Sequence, residues 1–521
     1  MKLPRNRFLR GLIYLAAVLL ILLAADLALV HHWRHIHPGY DTTRITEPRN
    51  PDGSIDFLAA VDSYFGRGVT FDNNAAIPLL QILGPAAVPK TQAPDALTSR
   101  LGMPPLPPDG NYYVNFDDFK KSRPDLPTTA PATSPSDLPE PENPPIKSAW
   151  RAKEHPLVAE WIAANQKSLD RLLEATRRPR FHIPFDVPPK PELMISLHLP
   201  HVVPTRDLAA AAASRATLRL AAGDVDGAHQ DLLAVHRLGR LFTQQPTLVE
   251  TLVGITIDGL ACQAEQQAAV AGELTAEQAR AWSADLAALP PLDPPADRLD
   301  IGERSMFHDI NQYFARHSAS EAAPALAGIA GPPNNLDKTG ALLYLTLVPV
   351  HYDQLMRDAN AWYDRMVIAL RKPTYPERAA ALNSINDDIS RLIGGQGFVT
   401  KALSGDWLMS LFLPSVTRVN AKHTAAEMRL GLTRAALALS AYKSETGRYP
   451  ATLDALVPKY LEQIPPDLFT NQPLIYRPAP DGTSYLLYSR GPNMTDDGGK
   501  DEGPATRPAT PPDDIAVRAS R

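Results

Sequence analysis

The residues able to do chemistry in this chain fall into small groups, and none completes a catalytic pattern by spacing alone. Asp258 and Glu265 share a helix face two turns apart, a separation of about 10 Å along the axis. An acid/base pair that far apart needs partners from other elements. Glu303, His308 and Asp309 cluster within one helical stretch, where a helix surface commonly carries such residues. His423 and Glu427 lie four apart and share a face, the pattern of a surface pair without a third metal ligand. His31, His32, His35 and His37 could hold a transition metal, but no outer ligand shell is visible, so a polar collar is expected. Cys262 is the single cysteine, which excludes a disulfide within the chain. Its apolar helical setting predicts a buried, inert thiol, because a nucleophile needs an exposed, electropositive one.

No H-E-x-x-H, G-x-S-x-G, P-loop or G-x-G-x-x-G pattern occurs. The expectation is therefore a non-catalytic protein. The alternative is a hydrolase in the helical body, which requires Asp258, Glu265, Glu303 or His308 to converge in one pocket.

These groups must be positioned by a long chain. Its 521 residues exceed one ordinary domain. A net charge of −5 is mild for that length and argues against a nucleic-acid partner. Lys2, Arg5, Arg7 and Arg10 precede an apolar run over residues 11–30, the length of a membrane-spanning helix. The basic side stays in the cytoplasm. This predicts residues 1–10 as a cytoplasmic segment, 11–30 as a single span in the cytoplasmic (inner) membrane, and an extracytoplasmic remainder. A cleaved signal peptide is the competing reading.

The 52 prolines gather in particular stretches, so residues 31–147 are expected to form a Pro-rich, largely irregular stem. Only a short helix near 55–65 and a turn leading into 77–83 stand out. Residues 148–413 read as an α-helical body of helical hairpins. Asp224 is expected to cap one helix, and Thr275 with Gln278 to form a capping box. Paired helices of this kind resemble tetratricopeptide-type units, without the 34-residue signature. Gly254 and Gly259 are expected to permit close helix contact. The fold class is mainly α.

Residues 414–521 differ. Ala421, Ala425, Met428, Leu432, Ala435, Leu439 and Tyr442 form one stripe on a long helix, which Gly447 ends. Arg448-Tyr449-Pro450 turns the chain. Leu453 and Leu456 start a short helix, and Pro465 to Asp467 follow. Two strands, at Leu474-Ile475-Tyr476 and Tyr485-Leu486-Leu487-Tyr488, flank an Asp481-Gly482 turn. In this order the tail resembles the periplasmic domain of type II secretion major pseudopilins, over about a fifth of the chain. The resemblance implies a small α+β domain with a calcium-binding loop. Asp513 and Asp514 match the family's closing Asp-Asp-Ile and are the first ligand candidates, with carbonyls near Leu487 to Gly491. Asp496 and Asp497, in a glycine-rich loop suited to oxygen ligands, come next. The insertion at residues 500–512 lengthens the family's pattern, and no prepilin-peptidase site precedes the helix, so filament assembly is not expected. The expected role is a membrane-anchored scaffold or interaction protein with envelope partners and a structural calcium. An accessory component of a type II secretion-like system is a further alternative.

Overall fold

The computed structural model describes residues 35–88, 96–123, 145–185, 193–329, 338–347, 350–395, 414–500 and 512–520. The expected span at 11–30, His31 and His32, and the apolar run at 407–413 lie outside these residues. Among the described residues no helix is long and apolar enough to cross a membrane.

The chain is mainly helical, as its periodicity predicts. In order come α1 (Phe57–Phe65), α2 (Ala76–Leu83), α3 (Ala96–Arg100), α4 (Phe116–Lys121), α5 (Pro156–Ala164), α6 (Gln166–Ala175), α7 (Val202–Ala221) and α8 (Val225–Phe242). Then follow α9 (Leu248–Ala271), α10 (Ala276–Ala287), a π-helical turn (Arg298–Glu303), α11 (Arg304–Arg316), α12 (Ala319–Ile329) and α13 (Lys338–Leu347). The helical part ends with α14 (Tyr352–Leu370), α15 (Tyr375–Gly395) and α16 (Pro414–Thr446).

Local chemistry sets most of these ends. The Asp224 carboxylate accepts from Gly227 N at 3.0 Å, and Thr275 with Gln278 forms the expected capping box. Both satisfy amides that the first turn leaves without intrahelical partners. Helix α7 begins earlier than its apolar pattern suggests, with Pro204 in the first turn, where a missing N–H removes no helical bond. Helix α12 forms in an Ala-rich segment that also holds a proline. Ser318 and Glu321 cap each other's amides at its start, and Pro324 lies inside it.

Among the described residues two antiparallel sheets complete the tail. One pairs β1 (Pro466–Asp467) with β2 (Gln472–Pro473). The other has the order β3–β4–β5, from β3 (Ile475–Pro478), β4 (Tyr485–Ser489) and β5 (Ile515–Ala519). Gly482 takes φ +68° in the expected hairpin turn. The third strand follows the acidic tail and pairs Ser489 with Ile515 through Tyr485 with Ala519.

The expected stem at 31–147 is corrected by the packing over residues 35–88 and 96–123, while its Pro-rich part at 124–144 lies outside the described residues. The described residues within 57–121 hold four α-helices and a 3₁₀ turn at Pro85–Ala87, and Ile77, Leu80, Ile82, Trp150 and Trp161 share one core cluster with α7, α8 and α9. Trp161 donates to Val114 O at 2.7 Å, and Ala75 N donates to Arg180 O at 2.8 Å. These helices are short, and α2 is buried around most of its circumference, so no periodicity separates them from loop.

Among the described residues two large cores stand beside two small apolar clusters. The first joins residues 75–286 to the tail, including Leu432, Leu439, Tyr485 and Val517. The second gathers residues 296–389 around Phe307, Phe314 and Tyr363. Helix α16 serves both: Val416 packs in the second core, and residues from Ala425 onward pack in the first. Its 33 residues span about 50 Å. The sheet and the helical body therefore share one apolar interior instead of meeting at a linker.

Candidate functional site

Helices α8 and α9 pack closely because glycines face each other at their crossing. A Cβ added to Gly239 would stand 2.6 Å from Gly254 O and 2.8 Å from Asp258 N. One turn further, the same crossing buries a polar cluster. His236 of α8 is fully enclosed. Its Nδ1 lies 2.7 Å from Asp258 Oδ1 and its Nε2 lies 3.0 Å from Glu265 Oε2. Arg240, one turn along α8, donates to Asp258 and, through Nε, to Pro290 O at 2.6 Å.

A carboxylate only accepts, so an imidazole with a carboxylate on each nitrogen donates from both and carries a charge. Burial works against that charge, but the adjoining Glu265 and Asp258 outweigh it and hold the His236 pKa at about 9. Burial pushes the Asp258 carboxyl up, while His236 and Arg240 pull it below the usual range. Cys262 sits beside Asp258 on α9, enclosed, and burial with the two carboxylates drives its thiol pKa up. His236, Asp258 and Cys262 each offer a donor atom within 4.8 Å of the others. Asp258 Oδ2 and Glu265 Oε1 are buried without a partner.

Spacing on one helix places Asp258 and Glu265 too far apart to cooperate, and the structure resolves this with an imidazole from the facing helix. His236 was legible only as part of α8. The other members of the expected pocket do not join them. Glu303 accepts from Leu248 N at 3.1 Å. His308 Nε2 lies 2.9 Å from Asn360 Oδ1, and burial with the Arg304 and Arg44 charges lowers its pKa to about 4. Asp309 lines a cleft of about 560 Å³ between residues 50–58 and α11. Its burial and the Asp56 charge raise its pKa to about 7, against the Met194 amide it accepts from.

His423, expected on the surface with Glu427, is 8% exposed. Burial lowers its pKa, with Glu427 opposing. His37 is exposed and grips α14 through Asp353, with Nδ1 to Oδ2 at 2.8 Å.

The acidic tail forms a second cluster. Gly491 holds φ +64°, and a Cβ there would collide with Asp513 O, so only glycine lets the loop close on β5. Asp514 Oδ2 accepts from Gly499 N at 2.7 Å and Asp497 N at 3.0 Å, while its Oδ1 is buried without a partner. Burial raises the Asp514 pKa to about 6, and the Asp497 and Asp496 charges add to it. Burial also raises Asp513, which accepts from Asn493 N at 3.1 Å. Asp497 accepts from Asn493 Nδ2 at 2.9 Å. Asp496 turns away to Tyr488 Oη at 2.8 Å and to Arg477. Three of the four expected acids thus converge and the fourth faces the strand.

No protein-family profile, curated protein or solved structure matches the chain.

Proposed function

We propose that this chain is a scaffold or interaction protein of a cell envelope, held to a membrane by residues 11–30, with a tail module of pseudopilin type. The observation that carries this reading is the tail's construction. A long helix, a short 3₁₀ turn at Leu453–Leu456, an antiparallel sheet and a glycine-rich acidic loop follow one another, and α16 runs from one core into the other. Such a helix fixes the sheet rigidly to the body, which suits a part that presents a surface. A structural calcium at the loop is part of the proposal. Asp513 and Asp514 would hold it, with Asp497 and strand-end carbonyls, since calcium takes both carboxylate and carbonyl oxygens. The buried, unpartnered Asp514 Oδ1 supports this, because an orphaned buried oxygen is costly.

Two measurements on the full-length chain test the proposal. Protease added outside spheroplasts should remove the body, and protection of the body would overturn the envelope placement. A thermal melt in calcium and in chelator tests the ion. Calcium at 100 times its dissociation constant adds about 2.7 kcal/mol, and Asp514→Asn should abolish that gain. An unchanged melt would remove calcium and leave the rest standing.

A further inference from the structure

We propose that the buried His236, Asp258 and Cys262 cluster is a structural site for a divalent transition metal, with zinc as the matching ion. The three donors are nitrogen, oxygen and sulfur, the set that zinc accepts in four-coordinate sites. They lie within 4.8 Å of one another. A tetrahedral shell has neighbouring ligands roughly 3.3–3.7 Å apart, from metal–ligand lengths of about 2.0–2.3 Å. Contraction of about an ångström, by side-chain rotation, closes the shell. Asp258 Oδ2, buried and without a partner, is the carboxylate oxygen free to bind the ion beside His236 Nδ1 and Cys262 Sγ.

The surroundings are those of a metal site. Glu265 holds His236 Nε2 at 3.0 Å, the carboxylate–histidine support that fixes ring orientation around bound zinc. Arg240 holds Asp258 from outside and is itself tied to Pro290 O. Thr433 of α16 accepts from Gln266 Nε2 of α9 at 2.8 Å, one turn along from Cys262, so α16 packs beside the site.

Charge balance allows the exchange. Without metal, two protons, one on His236 Nδ1 and one on Cys262 Sγ, leave Asp258 and Glu265 matched by His236 and Arg240. A divalent ion replaces those two protons. Three anionic groups, Asp258, Cys262 and Glu265, then face the ion and Arg240, and the sum is again zero. A buried site with no net charge in either state avoids an uncompensated charge in the core.

The single cysteine makes the test specific. The full-length chain is refolded with cobalt(II), gel-filtered and examined by metal analysis and absorption. The expected result is a retained cobalt with a thiolate-to-cobalt charge-transfer band, which in this chain can come only from Cys262. Cys262→Ser should fold with unchanged circular dichroism and lose the band, and His236→Gln should lose the retained metal that gives it. If Cys262→Ser fails to fold, Cys262→Ala is read in its place. Cobalt bound at the acidic tail gives no such band. Absence of the band from refolded wild-type chain, or its persistence in the Cys262 variants, overturns the proposal.

Discussion

Two glycines one and a half turns apart on α9 should respond in opposite directions to the same substitution. Gly254 faces α8. A Cβ there would meet Gly239 O closer than real Cβ atoms come, with Thr243 Cγ2 at 3.0 Å and Phe242 Cβ at 3.1 Å. The nearest obstacle is backbone, so the side chains cannot yield and the two helices must part by roughly 0.5–1 Å. A gap of that size forfeits about a quarter to a half of each affected contact, and overpacking of this kind costs about 1–3 kcal/mol. Alanine returns about 1 kcal/mol of helix propensity. Gly254→Ala should therefore lose up to ~2 kcal/mol, or ~2 °C in melting temperature at about 1 °C per kcal/mol for a chain of this length. Gly259 has nothing within 4 Å of its added Cβ. Gly259→Ala keeps the propensity gain alone and should raise the melting temperature by ~1 °C. Calorimetry of the two variants with wild type reads both effects. Loss of stability at Gly259, or a gain at Gly254, would refute the close crossing of α8 and α9.

Other substitutions probe the polar interior. His308 is buried with its pKa lowered to about 4, so its contribution is present above its ordinary pKa of 6.5 and lost as pH falls toward 4. Urea unfolding of wild type should show this acid weakening, by up to about 3 kcal/mol, and His308→Gln should flatten it. Asp231 is fully enclosed and accepts from Arg215 at 2.6 and 3.0 Å and from Arg219 at 2.8 Å. Asp231→Ala should cost about 3 kcal/mol in urea, the lower end of the range for breaking a buried pair, because Asp170 still holds Arg215. The Tyr485 hydroxyl is buried without a partner. Tyr485→Phe should raise the melting temperature, by the equivalent of about 1 kcal/mol; a fall would mean that an internal water or ligand satisfies it.

The sequence carried the long amphipathic helices well, since caps such as Asp224 and Thr275 and the stripe from Ala421 to Tyr442 are local signals. It carried the stem poorly. Ile77, Leu79, Leu80 and Ile82 form a short helix buried around most of its circumference, which leaves no polar face to set a period. Strand β5 was hidden because its partner Tyr485–Ser489 lies across the acidic loop. The His236 cluster depends on two helices crossing, and neither helix alone spaces its members for chemistry. Asp258 and Glu265 drew notice as acids on one face, but only the approach allowed by Gly239 and Gly254 brings an imidazole between them. His423 looked like half of a surface pair because spacing shows which residues share a face and not what covers it.

The segment just before the first helix has a mechanical consequence. Four ties fasten residues 37–44 along α14: His37 to Asp353, Asp41 to Arg357, the Asn360 amide to Asp41 O and Thr42 O, and Arg44 to Asp364. They advance together along about 16 Å of the helix. A pull along the helix axis loads all four at once, as a lap joint does. A pull away from the helix strains the His37 tie first and opens the rest in turn. Resistance to tension at this end of the protein therefore depends on direction.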